Sequence, residues 1–230
     1  MFQLNRKEAQ LIILQRIELI SNFLKKLRKF FGRYVFSNFI SKFFLSPKSI
    51  AKSYFKNMDK ELESINSAID PLNKTFLSIG GGLGGLELVI NSKFNVKSFT
   101  FIERNYISKK VKYGWDKENK EAYNDISIQR NFLIKNGMPL SKFSIFDYDN
   151  DQLPNRKFDI IISLFSLDYH YDFNIYLEYL KKNTHEESKI IFDTIRHDYF
   201  RNIFKEVIIL NDRTKTIHSS KRIMCTKFLT

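Results

Sequence analysis

An α/β fold built on a mainly parallel sheet of seven strands, ending in an antiparallel hairpin and preceded by a helical extension, is what these 230 residues predict. Three observations carry that prediction. From Lys74 onward, short apolar runs alternate with amphipathic helical patterns, the signature of strand–helix–strand units. The first run, 75–79, leads straight into a cluster of glycines. The last two runs are separated only by a stretch around Asn211 to Ser219, shorter than the dozen or so residues a parallel crossover needs, so they must pair antiparallel.

In chain order, the extension spans 1–73. Over 9–31, Ile13, Ile17, Ile20, Leu24, Leu27 and Phe31 are spaced alternately four and three apart, which places them on one helical face. Lys25, Lys26, Arg28, Lys29 and Arg33 gather at the far end, where cations complement the helix dipole, and Gly32 is a natural stop. An aromatic-rich stretch from Tyr34 to Leu45 runs up to Ser46-Pro47, where proline breaks the helix. Helical spacing resumes through Ile50, Tyr54, Met58, Leu62 and Ile65 until Asp70-Pro71. The second unit, 74–230, carries expected strands at 75–79, 98–103, 142–147, 158–163, 188–193, 205–210 and 221–228. Expected helices fall at 84–92, 119–136 and 172–183, with a shorter one at 197–203.

A hydrophobic content of 43% with 27% charged residues fits a packed core. The net charge of +13 is uneven: residues 1–56 hold 12 Lys and Arg against Glu8 and Glu18, a surplus of +10. The remaining residues carry only +3, so the extension is the electropositive part and the second unit has no broad basic platform. AT-rich coding favours Lys, Asn, Ile and Phe, so codon usage accounts for the same charge as well as a selected partner does. Cys225, the only cysteine, excludes an internal disulfide and a Cys-rich zinc site, and reads as a buried strand residue. No metal site is expected. No apolar run reaches the ~20 residues of a membrane span, and Arg6, Lys7 and Glu8 do not suit a signal peptide, which makes the cytoplasm the expected location.

The strongest local signal is Thr75-Phe-Leu-Ser-Ile-Gly80-Gly-Gly82-Leu-Gly84-Gly85, a strand entering a glycine-rich turn, followed by Leu86, Leu88 and Val89. Glycines remove the side chains that keep a ligand off the backbone, and the following helix offers unpaired N–H groups. The spacing fits a Gly80-x-Gly82-x-Gly84 register and a dinucleotide-type Gly80-x-Gly82-x-x-Gly85 register equally, and a tight strand-to-helix turn is the plain alternative. Glu103 closes the next strand, where an acid can accept hydrogen bonds from ribose hydroxyls. Its plain alternative is a surface pair with Arg104.

Taken together, Phe76-Leu-Ser-Ile-Gly80-Gly-Gly-Leu-Gly84, then Glu103, Ile145-Phe-Asp147 and Phe158-Asp-Ile-Ile-Ile-Ser163, resemble class I S-adenosylmethionine-dependent methyltransferases over residues 74–228, a Rossmann-like family. The resemblance implies S-adenosylmethionine as cofactor, with Gly80, Gly82 and Gly84 facing its methionine portion, Glu103 its ribose, Asp147 with Tyr148 its adenine, and Ser163 among the binding residues. It also implies the terminal hairpin. One departure stands out: the family often has an acid two residues before the first glycine, and this chain has Ser78. Glu87 is a candidate substitute, although solvent is the ordinary destination of such a residue.

Beyond the fourth strand, Ser163-Leu-Phe-Ser166-Leu-Asp168-Tyr169-His170-Tyr171-Asp172 forms a polar, aromatic loop at the carboxyl edge of the sheet, where ligands of open α/β sheets collect. Transfer to a hydroxyl needs alignment and removal of a proton, for which His170 is suited, with Asp168 or Asp172 to orient it. A structural hydrogen bond by His170 and a helix cap by Asp172 are the plain readings. Tyr169, Tyr171 and Arg196 are candidate acceptor-binding residues, and His197 and Asp198 extend the second polar cluster. The run from Ser166 to Tyr171, followed by Tyr176-Leu177, is similar to a pattern of sugar O-methyltransferases, which implies a small-molecule or glycan acceptor.

Other classes stay open. The basic charge suits an RNA methyltransferase, although Ser163-Leu-Phe-Ser166 lacks the Asn/Asp-Pro-Pro-aromatic motif of many base-modifying enzymes. The second glycine register suits an NAD(P)-dependent oxidoreductase. A non-catalytic interaction protein is the third class. For the extension, a lid or a homodimer surface is expected, with peripheral membrane contact through its basic helices as the alternative.

Overall fold

The computed structural model describes residues 1–36, 45–108, 121–213 and 219–229. Among the described residues, the α-helices that come first are α1 (Arg6–Gln15), α2 (Asn22–Val35) and α3 (Pro47–Glu63). Then follow β1 (Thr75–Ile79), α4 (Gly85–Lys93), β2 (Ser98–Glu103), α5 (Ile126–Lys135), β3 (Phe143–Asp147), β4 (Phe158–Ser163), α6 (Leu177–Asn183), β5 (Thr184–Thr194), β6 (Phe204–Arg213) and β7 (Ser220–Phe228).

All seven expected strands are present in one sheet of order β3-β2-β1-β4-β5-β7-β6. The first five run parallel, and β7 enters antiparallel between β5 and β6, as the short β6–β7 connection demanded. Strand order reverses between β1 and β4, which opens a crevice at their carboxyl ends. Period-two alternation sorts the core onto two faces. Phe76, Phe99, Phe101, Ile160, Ile162 and Ile191 point to one face, where α1, α3, α4 and α5 cover them. Leu77, Ile102, Ile161, Ile190, Phe192 and Cys225 point to the other, beneath α6 and Phe173, Phe200 and Phe204. Burial also drives the Cys225 thiol upward.

The extension and the sheet share the first of these two cores. Phe2 packs against Tyr54, Phe55 and Phe132 at ring separations of 5.3–5.4 Å. Glu8, nearly fully buried, pairs with Lys135 across the same seam.

Five elements depart most from expectation. The periodic stretch 9–31 is not one helix. An Asn5–Glu8 capping box starts α1 three residues early, and Arg16 (φ −131°, ψ 81°) ends it, although the apolar spacing runs on into α2. Helical geometry then fails at Gly32 (φ 79°), the expected stop. The helix expected at 119–136 starts at Ile126, where Asp125 caps the Ile128 N–H, because Tyr123 bridges to Ile107 instead; its first two residues lie outside the described ones. The helix expected at 172–183 splits at Tyr176 into a short 3-10 turn and α6, and the element at 197–203 is a 3-10 turn over His197–Asn202. β5 begins at Thr184, four residues early, through an irregular start held by Ser188 Oγ donating to the Phe158 carbonyl. Much of the Tyr34–Leu45 stretch and of the β6–β7 connection lies outside the described residues.

Candidate functional site

The carboxyl ends of β1, β2 and β4 meet around the bend 80–85. Gly80, Gly82 and Gly84 all have positive φ. At Gly84, which precedes α4 in the left-handed conformation, a Cβ would stand 2.9 Å from Leu133 and 3.1 Å from Phe101, so both backbone and packing demand glycine there. The first helix layer closes directly on the bend. Tyr54 of α3 accepts the Gly85 N–H at 3.2 Å, and the Gln15 amide at the end of α1 lies beside Gly82, with its Nε2 donating to the Tyr123 carbonyl at 2.8 Å. Asn124 Nδ2 donates to the Gly82 carbonyl at 3.2 Å. On the opposite side, the Ser166 and Tyr171 hydroxyls, bonded to each other at 2.7 Å, face Gly80.

Two carboxylates are buried at this bend. Glu103 ends β2 and lies against the N–H groups of Gly81 and Gly82 and the Asn124 amide, while its Oε1 has no hydrogen-bond partner. Its plain alternative, a surface pair with Arg104, does not occur: Glu103 is only 5% exposed, and Arg104 faces Asp149 and the Tyr148 ring. Glu87, in the first turn of α4, accepts a 2.6 Å hydrogen bond from Ser78 Oγ, and its Oε2 is also without a partner. Here the expectation of a solvent-facing Glu87 is corrected. Every residue of α4 from Gly85 to Ile90 is buried between the sheet and α3, so the first turns have no solvent face.

Burial holds both acids above the ordinary carboxylate range, and for Glu103 the neighbouring charge of Glu87 adds to it. The Ser78 hydrogen bond and the nearby Arg16 act in the other direction on Glu87. Tyr54 is pushed up to about 12, first by burial, with Arg16 opposing.

The polar loop after β4 is arranged differently. Ser163 Oγ donates to the Ile79 carbonyl at 2.7 Å and accepts the Leu167 N–H at 2.9 Å, tying the ends of β1 and β4 together. Asp168 is fully buried; its carboxylate is taken by Thr194 Oγ1, by Arg196 through Nε at 3.0 Å and Nη2, and by the Phe173 N–H. Asp172 accepts the Asn174 N–H as a cap and pairs with Arg196 at 2.9 Å, so Arg196 bridges two acids while lying over the Tyr199 ring. His170 is half-buried, with its backbone N–H donating to the Ser166 carbonyl at 3.0 Å and its ring edge-on to Tyr169 at 4.9 Å. Asp147 has both oxygens engaged by the turn after β3, from the Asp149 N–H and the Asn150 amide. Tyr148 lies beside Tyr176 at 5.0 Å.

The structure therefore gathers Gly80, Gly82, Glu103, Ser166 and Tyr171 at one bend and draws Asp168 and Arg196 into an ion pair beside it. The residues that sequence reasoning missed are Gln15, Tyr54 and Asn124, together with the pairing of Ser78 and Glu87. Gln15 is 108 positions from its partner Tyr123, and no local pattern encodes such a contact. A second buried network went unseen too: Arg222, fully buried, pairs bidentately with Asp193 at 2.8–2.9 Å and reaches Glu61 and Ser64 of the α3 region.

A cavity of about 290 Å³ lined by Leu62, Glu63, Asn66, Lys93 and Phe94 lies at the far end of α4, away from the strands' carboxyl ends, and we place no chemistry there. The bend instead combines glycine backbone, on which Gln15, Tyr54, Ser166 and Tyr171 close, with two buried acids that each keep an oxygen without a partner.

No family model matches the chain, and no curated protein matches it by sequence. Solved structures do resemble it. A provisionally assigned O-methyltransferase from Nostoc punctiforme is 12% identical and superposes over 78% of this chain and 58% of its own, with a TM-score of 0.53. A precorrin-6y C5,15-methyltransferase from Geobacter metallireducens is 13% identical over 74% of this chain and 87% of its own, with a TM-score of 0.45. The chain thus spans 58% of the length of the Nostoc protein, and what it shares with that protein is the Rossmann-like methyltransferase fold.

Proposed function

We propose that the chain is an S-adenosylmethionine-dependent methyltransferase acting on a hydroxyl of a small molecule or glycan. The observation that carries this reading is the pair of buried, incompletely satisfied carboxylates, Glu87 and Glu103, on a glycine bend at the switch point of a methyltransferase-type sheet. A buried carboxyl oxygen without a partner costs free energy unless a ligand supplies a donor or a cation. Glu103, at the end of β2, would accept the ribose hydroxyls. Glu87, fixed by Ser78, would face the ammonium of the methionine portion, taking over the part of the acid missing at position 78. Tyr148 offers an aromatic surface to the adenine, with Asp147 and Ser163 holding the strand ends that frame it.

S-adenosylmethionine, when bound, supplies an electrophilic methyl group on sulfur. The chain's own tasks are to align the acceptor, exclude water and take up the hydroxyl proton. Gln15 and Tyr54 wall the bend, which favours a lid role for the N-terminal helices over a separate dimer module. His170 takes the proton on its imidazole, and Tyr169 and Tyr171 line the acceptor side. Asp168 and Arg196 brace that loop through their ion pair.

Calorimetric titration with S-adenosylhomocysteine and NADH tests the reading. Micromolar-range binding of the first alone is expected, weakened by at least about 1.5 kcal/mol in Glu103→Ala through lost charged hydrogen bonds. Binding of NADH instead would identify an oxidoreductase, and binding of neither, with partner capture retained, a scaffold. His170→Ala should keep cofactor affinity and slow turnover; equal turnover removes it from the proton-accepting role.

A further inference from the structure

The helix α2 carries an apolar stripe that, among the described residues, the core covers along one edge only. Phe23, Leu27 and Phe30 are spaced i, i+4, i+7, and Leu24, Leu27 and Phe31 i, i+3, i+7, so all five share one broad face. Leu24 and Leu27 lean on the core. Phe23 and Phe30 do not: they are 65% and 82% exposed, with Phe31 at 45% set edge-on to Phe30 at 4.9 Å. Lys25, Lys26 and Lys29 continue the helix surface past Phe30, beside the stripe on the edge away from Leu24, exposed and without a carboxylate partner among the described residues. A soluble helix has no reason to hold two phenylalanines in water beside a row of uncompensated lysines.

We infer that α2 is an interfacial helix that docks the protein on a membrane surface bearing anionic lipid. The two halves of the face match the two layers of such a surface: the lysines meet the phosphates, and Phe23 and Phe30 enter the acyl boundary. The contact is peripheral, because among the described residues no helix is long and apolar enough to cross a membrane. A second copy of the chain fits less well, since a two-fold contact through this face sets Lys25, Lys26 and Lys29 against their own counterparts. RNA would engage the lysines, but Phe30 and Phe31 are set edge-on to each other and form no parallel platform for stacked bases.

Flotation of the full chain with phosphatidylcholine vesicles, with and without phosphatidylglycerol, tests the inference. Binding is expected only to the anionic vesicles. It should fall at least about tenfold in F23S/F30S through lost apolar burial and about a hundredfold or more in K25E/K26E/K29E through lost surface attraction. Both variants change exposed residues, and unchanged circular dichroism and S-adenosylhomocysteine affinity would show that the fold and the glycine bend are intact. No binding to anionic vesicles, or equal binding by F23S/F30S, overturns the inference. So does a homodimer that F23S/F30S dissolves in sedimentation velocity, which assigns the face to a second copy, or salt-sensitive RNA binding in place of vesicle binding. The outcome is independent of the methyltransferase reading, which stands or falls on cofactor titration.

Discussion

The carboxyl edge of the sheet buries acids in two places, and they are treated in opposite ways. On the β4–β5 side, Asp168 is matched by Arg196 and Thr194, and Asp193 by a guanidinium, that of Arg222, which also reaches Glu61. At the glycine bend, Glu87 and Glu103 are just as buried, yet each keeps an oxygen without a partner and no cation is paired with either among the described residues. From the sequence, Asp168 and Glu103 both stand out as candidate site acids, while the Asp193–Arg222 pair does not. The difference teaches that a buried acid points to a ligand only when the protein has not already neutralised it, since matched charges are structural and unmatched ones leave interaction free energy for a partner.

This comparison can be broken or sharpened by mutation. The largest effect should come from Arg222→Ala, which strands Asp193 and Glu61 in the core: about 3–5 kcal/mol of stability lost in urea unfolding. A loss under about 1 kcal/mol would mean that side is not held by its charges. Asp168→Asn should cost about 2 kcal/mol, less because Arg196 is partly exposed and can be rehydrated. At the bend the sign should reverse. Glu87→Gln is expected to raise the ligand-free protein's stability at pH 8 by up to about 1 kcal/mol, because it removes a carboxyl that burial keeps from ionising, while weakening S-adenosylhomocysteine binding. Placing the acid on β1 instead, in the double variant S78D/E87Q, should recover part of that affinity; a destabilised Glu87→Gln with unchanged affinity would make Glu87 structural.

The smallest effect is in pH. Both glutamates have raised values in the folded state, so above their unfolded value near 4.5 the folded chain holds protons that the unfolded chain has released. Their contribution to stability therefore declines as pH rises from about 4.5 toward the raised folded values and does not recover above them. A cationic ligand favours the ionised acids, so its binding should release protons and tighten with pH over the same window. Calorimetry in two buffers of different ionisation enthalpy measures that release; no net proton change would separate the bend from the ligand's charge.

Much of the fold was readable because it rests on short-range rules. Alternation of Phe76 with Leu77 and of Ile160 with Ile161 sets two sheet faces whatever the partners are, and the short β6–β7 connection allows only a hairpin. Within the site, Glu103 was legible because a strand's last residue must face the crevice. Glu87 was misread because helix periodicity gives a polar residue a solvent side by default, and only the packing of α3 over α4 removes that side. The N-terminal boundaries slipped for a related reason: the apolar spacing continues through Arg16, while the chain turns there to bring Gln15 to Tyr123.

By itself, then, the sequence determined the strand set, the glycine bend and the acid that ends β2, since each follows from the backbone freedom or side-chain period of neighbouring residues. Tertiary structure alone decided which acids were neutralised and which were left open, and which edge of α2 stayed in water. Those outcomes depend on groups such as Arg222 and Glu61, 161 positions apart in the chain, whose meeting is set by packing and not by any local preference.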